Sequence, residues 1–230
     1  MPDGKGRPYH PKDVPWWAWA GSTLFGLGLT VVGLKHLAHG EAEPPGLGSV
    51  QSKLPGGAIH RMQVHNVKDI DERIRIIRTM LVESSKRPEV KEVAVRTVGK
   101  RCGDKWCVPE KDYKGEVRAL FDYVRSHVRY VRDHARIDGY TMADKTLKLG
   151  GADCDDYAIL LGALLLAVGY PVKLRVVQIK GSSTWSHIYL LVGLPPPSPK
   201  EWMPLDASVN RPAGWEVSRS QVVKQRDFEV

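Results

Sequence analysis

The chain changes its hydrophobic rhythm several times, and each change marks an element. Residues 16–34, "WWAWAGSTLFGLGLTVVGL", are apolar on every side and carry no charge. At about 1.5 Å per residue this stretch makes a helix long enough to cross a bilayer core. Trp16, Trp17 and Trp19 gather at one end, where interfacial aromatics sit, and Lys35 and His36 close the other. Ala18, Ser22, Gly26 and Thr30 recur every four residues as a small-residue stripe suited to close helix packing. Lys5, Arg7 and Lys12 precede the segment, whereas only Lys35 and Lys53 follow it. That bias predicts a membrane anchor with the bulk of the chain outside the cytoplasm. Two other readings fit the same residues: a cleaved signal sequence, opposed by the length and the tryptophans, and a helix buried in a larger assembly. Residues 1–15 form a polar tail, 16–39 the hydrophobic helix, and 40–68 a linker containing "EPPGLG" and "LPGG" without sustained periodicity.

From residue 69 the period becomes helical. Ile70, Ile74, Ile77 and Leu81 share one face, with Arg73, Arg75 and Arg78 elsewhere and Asp69 and Asp71 at the start. A second short helix is predicted from Pro88 to Gly99, and a third over about 112–131 with Val117, Leu120, Phe121, Val124 and Val128 facing a core. A fourth, 154–168, is apolar on nearly every side and so belongs at the centre; Asp153 suits its N-cap, Gly169 its end, and Pro171 blocks continuation. The pattern then turns to strands rich in β-branched and aromatic residues at 172–179, 187–193 and 201–206, with "PPPSP" (195–199) joining the last two. Helices followed by a run of strands predict an α+β domain over 69–230, with a central helix against an antiparallel sheet.

Length and composition narrow this only slightly. The 230 residues suffice for one domain plus appendages, and 42% hydrophobic with 26% charged residues is a globular balance. The net charge of +8 favours acidic partners or simply solubilises the surface. The basic residues are scattered and no KH, RRM or zinc-finger pattern is present, so no specific nucleic-acid binding is predicted. Of three cysteines, Cys102 and Cys107 bracket "CGDKWC", close enough for a loop disulfide in an oxidising compartment. Whether they pair is left open. A zinc site there lacks two further ligands.

Cys154 remains, in the first turn of the central helix. Unpaired N–H groups and the positive end of the helix dipole favour a thiolate there, while Asp153, Asp155 and Asp156 oppose it, so a nearby cation is needed. His187, opening one strand, and Asp206, ending the next, supply a base and a group to orient it, the logic of cysteine acyl transfer. A metal site of Asp153, Cys154, Asp156 and His187 would mix hard oxygens with soft sulfur and is disfavoured. Trp185 and Trp202 flank the triad and fit either a cleft lining or sheet packing.

In sequence, "GGADCDDYAILLGALLLAVGYPVKLRVV", "WSHIYLLV" and "WMPLDAS" resemble the three successive motifs of the transglutaminase-like superfamily, within the papain-like cysteine-nucleophile fold, over roughly residues 110–210. The cysteine block also resembles bacterial and tailed-phage members. The resemblance implies Cys154 as nucleophile, His187 as general base and acid, and Asp206 as the orienting carboxylate. It implies no cofactor, and a peptide or protein amide as substrate. The tryptophan that serves the oxyanion in animal transglutaminases has no clear equivalent: Trp106 is distant and Tyr130 a weak stand-in. The Cys154 N–H is expected as one oxyanion donor, with the second unassigned. Calcium segments and extra β domains have no room. The leading expectation is a cysteine peptidase or amidase. The alternatives are an amine-accepting cross-linker, and a virion-associated or envelope protein whose domain serves interaction.

Overall fold

In the computed structural model, residues 50–53, 59–64, 69–131 and 138–230 are described. The tail, the hydrophobic segment 16–34 and most of 40–68 lie outside them. Among the described residues no helix is long and apolar enough to cross a membrane. Two strands, β1 (Val50–Lys53) and β2 (Ile59–Val64), fall inside the stretch expected as linker. Each is short and gives no periodicity signal alone; β2 is held between β1 and β6 (Asp138–Thr141) in a three-stranded antiparallel sheet.

Helices α1 (Ile70–Ser85), α2 (Pro88–Val98) and α3 (Tyr113–His127) form where the periodicity places them. The Asp69 side chain caps α1 at the Asp71 N–H, Pro88 opens α2, and Asp112 caps α3 at the Gly115 N–H. Helix α3 stops at His127, short of the expected 131. Val128 is already extended, and Arg129–Tyr130 (β5) pair in parallel with Gly151–Ala152 (β7), where β-branched and aromatic residues are better accommodated. Between α2 and α3, Cys102 and Cys107 are joined in a disulfide across the hairpin of β3 (Arg101–Cys102) and β4 (Lys105–Trp106).

A short helix, α4 (Ala143–Leu149), precedes α5 (Cys154–Ala167), the central helix. Ile159, Leu160, Leu161, Leu164 and Leu165 of α5 are all buried, because α1 to α4 cover one side and the sheet the other. Gly162 lets α1 pack closely there; a Cβ at this position would lie 2.5 Å from Leu81 Cδ1 of α1.

The main sheet is antiparallel throughout, ordered β10 (Glu201–Leu205), β9 (His187–Leu194), β8 (Val172–Ile179), β11 (Val222–Glu229). Leu174, Val176, Ile188, Leu190 and Val192 face α5. Tyr189, Leu191, Val177 and Ile179 form a second cluster with Val217, Trp202 and Trp215. The architecture is α+β, helices packed on a four-stranded antiparallel sheet. Edge strand β11 has no sequence forecast: "VVKQRDFE" is mostly polar, and it is held by backbone pairing and by Arg175, which donates two hydrogen bonds to Asp227.

Candidate active site

The turn before α5 sets the position of the cysteine. Gly150 ends α4 with φ +64°, a left-handed conformation costly for other residues, and β7 then pins the chain to β5. Asp153 follows as N-cap, its Oδ1 accepting from the Asp156 N–H at 3.1 Å. Asp156 in turn accepts from the Thr141 N–H at 2.7 Å, tying the helix mouth to β6. Cys154 therefore begins the helix, half-buried, with a free thiol.

His187 opens β9, and Asp206 lies just beyond the end of β10, which pairs alongside. The two meet: His187 Nε2 and Asp206 Oδ2 are 2.6 Å apart, with Asp206 only 4% exposed. The other carboxylate oxygen, Oδ1, accepts from the Ser208 N–H at 3.2 Å and Oγ–H at 2.7 Å. With a carboxylate as its acceptor, Nε2 carries the hydrogen, which leaves Nδ1 as the basic nitrogen.

Cys154 is in the same electrostatic neighbourhood but is not bonded to the imidazole. Its thiol donates to Asp155 Oδ1 at 3.8 Å. Burial pushes the Cys154 thiol well up, and Asp155, Asp153 and Asp206 push it further; Arg73 of α1 opposes them. Arg73 Nη2 lies 3.6 Å from Asp155 Oδ2, and its Nε donates to the Tyr140 hydroxyl at 3.2 Å. Burial pulls the His187 imidazole down, but the charge and hydrogen bond of Asp206, with the charge of Asp155, outweigh it, so its pKa lies above the ordinary value. The thiol is held towards its neutral form, and the imidazole, which feels the same Asp155 and Asp206 charges, has its proton affinity raised. The thiolate that the helix dipole alone would favour is suppressed by burial and three carboxylates.

The structure thus joins His187 to Asp206 and places Cys154 within reach of the Asp206 charge. Trp202 turns to the outer face of the sheet, with Lys173 Nζ 4.1 Å from its ring centroid, whereas Trp185 packs on the main core. Trp106 is exposed on the disulfide hairpin. Tyr130 stacks on Tyr157, centroids 6.3 Å apart, and Tyr157 donates to the Val128 carbonyl. Sequence reasoning missed Arg73 and Ser208. The first looks like one of several polar-face arginines; the second had a signal, since Asp-x-Ser is a turn in which the carboxylate accepts from a backbone N–H two residues on. Among the described residues no group of three or more His, Cys, Asp or Glu is arranged to hold a metal ion.

Residues 101–207 match the family model of the transglutaminase-like superfamily, a span containing Cys154, His187 and Asp206. Those residues form a transglutaminase-like superfamily domain. Among solved structures, the chain resembles a candidate protease from Parabacteroides distasonis, with 14% identity over 60% of this chain and 26% of that one, at a TM-score of 0.43. It resembles a candidate cysteine protease from Cytophaga hutchinsonii, with 17% identity over 72% and 54% of the two chains and a TM-score of 0.41. It also resembles LapG of Legionella pneumophila, with 15% identity over 66% and 87% and a TM-score of 0.41. The first two matches thus span 26% and 54% of those proteins' own lengths. No curated protein matches the chain.

Proposed function

We propose that this chain, through the transglutaminase-like domain at residues 101–207, is a cysteine hydrolase acting on peptide or related amides. The observation that carries the reading is the 2.6 Å contact between His187 and Asp206 in a site that also holds the free Cys154 at a helix start. Because burial and three carboxylates favour the protonated thiol, attack starts from the neutral form of the imidazole and proton transfer accompanies it. His187 Nδ1 takes the Cys154 proton as Sγ adds to the amide carbonyl. The imidazolium so formed is stabilised by Asp206 and then protonates the leaving amine. A thioester remains on Sγ, and water activated by the same nitrogen hydrolyses it. Asp206, held by Ser208, keeps the ring in the tautomer that leaves Nδ1 basic.

The test is cleavage of a pooled peptide library by the full chain in the presence of hydroxylamine, read by mass spectrometry. Cleavage with hydroxamate at the new C-termini is expected, because hydroxylamine captures the thioester. Its absence, or its persistence in Cys154→Ala, would overturn the reading. The anchor at 16–34 and a location outside the cytoplasm remain part of the proposal, resting on sequence alone.

A further inference from the structure

A cavity of about 460 Å³ opens between α3 and the loop that follows Asp206. Helix α3 contributes Arg118, Asp122 and Arg125, which share one face at spacings of four and three. The loop contributes Asn210, Arg211, Pro212 and Ala213. Three arginines face one aspartate, so the cavity is net positive. Among the described residues, no carboxylate lies within ion-pair distance of Arg118, Arg125 or Arg211. Arg175 and Arg226 differ in this respect: Arg175 is bound by Asp227 and Glu216, and Arg226 by Asp71.

The three guanidinium groups are not equivalent. Arg125 is occupied, donating to the Arg211 carbonyl at 3.0 Å and to Asn210 Oδ1 at 2.5 Å, so it fixes the loop to the helix. Arg118 and Arg211 are exposed and keep their donors open, apart from the stacking of Arg211 over the Trp215 ring. The place is as informative as the charge. The loop starts at Asp206, which is bonded to His187, and the Arg125 charge reaches Tyr157, one turn beyond Cys154. A planar guanidinium presents paired donors that match a carboxylate.

We propose that this cavity is a carboxylate subsite that takes an acidic side chain of a polypeptide, with Arg118 and Arg211 as its ligands and Arg125 as the residue that holds the loop in position. That the polypeptide is the substrate rests on the hydrolase reading; binding of the carboxylate does not.

The experiment uses full-length chain carrying Cys154→Ala, so that binding is measured without turnover. Fluorescence anisotropy follows amidated heptapeptides of Gly, Ala and Ser bearing an uncharged dye and either one central Glu or one central Gln. The Glu peptide is expected to bind about tenfold more tightly at low salt, as for one charge-assisted bidentate contact, and to lose that preference in Arg118→Gln/Arg211→Gln. Both arginines are exposed, so this double variant should keep the parent's unfolding temperature. Equal affinity for the two peptides, including none for either, overturns the subsite, as does a preference unchanged in the double variant. Binding of inorganic phosphate alone without a Glu preference assigns the arginines to a free anion and also overturns it. An inert wild-type chain that keeps the Glu preference refutes the hydrolase and spares the site. An active one indifferent to Glu does the reverse.

Discussion

Replacing Asp155 with Asn probes the electrostatics of the site most directly. The Asp155 carboxylate accepts from the Cys154 thiol at 3.8 Å and is itself 3.6 Å from Arg73. Two unit charges 3.8 Å apart repel by about 4 kcal/mol at an effective dielectric of 20. Arg73 and solvent cancel much of that, since the Arg73 and Asp155 side chains are 27% and 12% exposed. If ~1.5 kcal/mol survives, Asp155→Asn lowers the Cys154 pKa by about one unit. The Arg73 charge, no longer offset by Asp155, acts in the same direction. The assay is the pH dependence of iodoacetamide labelling at Cys154, read by mass spectrometry. Its midpoint should move down by about one unit. At pH 7 the rate should rise only about threefold, because a tenfold larger thiolate fraction is offset by lower intrinsic nucleophilicity. Losing one partner of a half-buried ion pair should lower stability by roughly 1–2 kcal/mol, which thermal unfolding checks. A midpoint that stays put or rises would refute the reasoning, since burial alone would then be setting the thiol.

Arg73→Gln should do the opposite at the same thiol: the labelling midpoint moves up, the unfolding temperature falls, and Arg73→Lys restores part of the midpoint. Asp206→Asn removes the main counterweight to burial at His187, so NMR titration should find its pKa lowered, and kcat/KM on any cleaved peptide should fall by ~100-fold or more. For the folded wild type the sign at His187 is fixed by its raised pKa. The stabilisation is complete below about pH 6.5, the unfolded value, and is lost as pH rises through the folded value. Thermal scans across that window should therefore show a decline that His187→Gln lacks. Gly162→Ala should destabilise the protein although alanine is the better helix former by ~1 kcal/mol, because the added Cβ would meet Leu81 at 2.5 Å and overpacking costs roughly 1–3 kcal/mol. A higher unfolding temperature for that variant would refute this account of the α1–α5 contact.

What could be read from the sequence follows from which physical signals are local. Helices α1, α2, α3 and α5 carry their own evidence in periodicity, caps and a proline, and β8, β9 and β10 carry theirs in β-branched runs. The stretches that escaped are stabilised from outside themselves. Arg129–Tyr130 become a strand because Gly151–Ala152 lie beside them, and β11 because β8 offers an edge. No window of sequence contains both partners. The same division runs through the site. Cys154, His187 and Asp206 are legible as candidates because their three motifs stand in order along the chain. Arg73 is not, because its meaning comes from α1 packing on α5, a tertiary fact that leaves no mark on "DERIR".

The acidic mouth of α5 looks self-defeating if only the thiol is considered, since each carboxylate makes the nucleophile harder to ionise. Its effect on the pair is different. Asp155 and Asp206 raise the affinity of His187 for a proton as well as that of Cys154. A charge that raises both pKa values acts on their difference only through its relative closeness to each group. Asp206, bonded to the imidazole, favours transfer from sulfur to nitrogen; Asp155, bonded to the thiol, opposes it. Arg73 draws on Asp155 and so tilts the balance towards transfer. On the proposed mechanism the catalytic base is therefore set by the strand ends of the sheet, and the restraint on the nucleophile by the helix mouth. A fall that is larger at the thiol than at the imidazole in Asp155→Asn, and larger at the imidazole than at the thiol in Asp206→Asn, would separate these contributions within one protein.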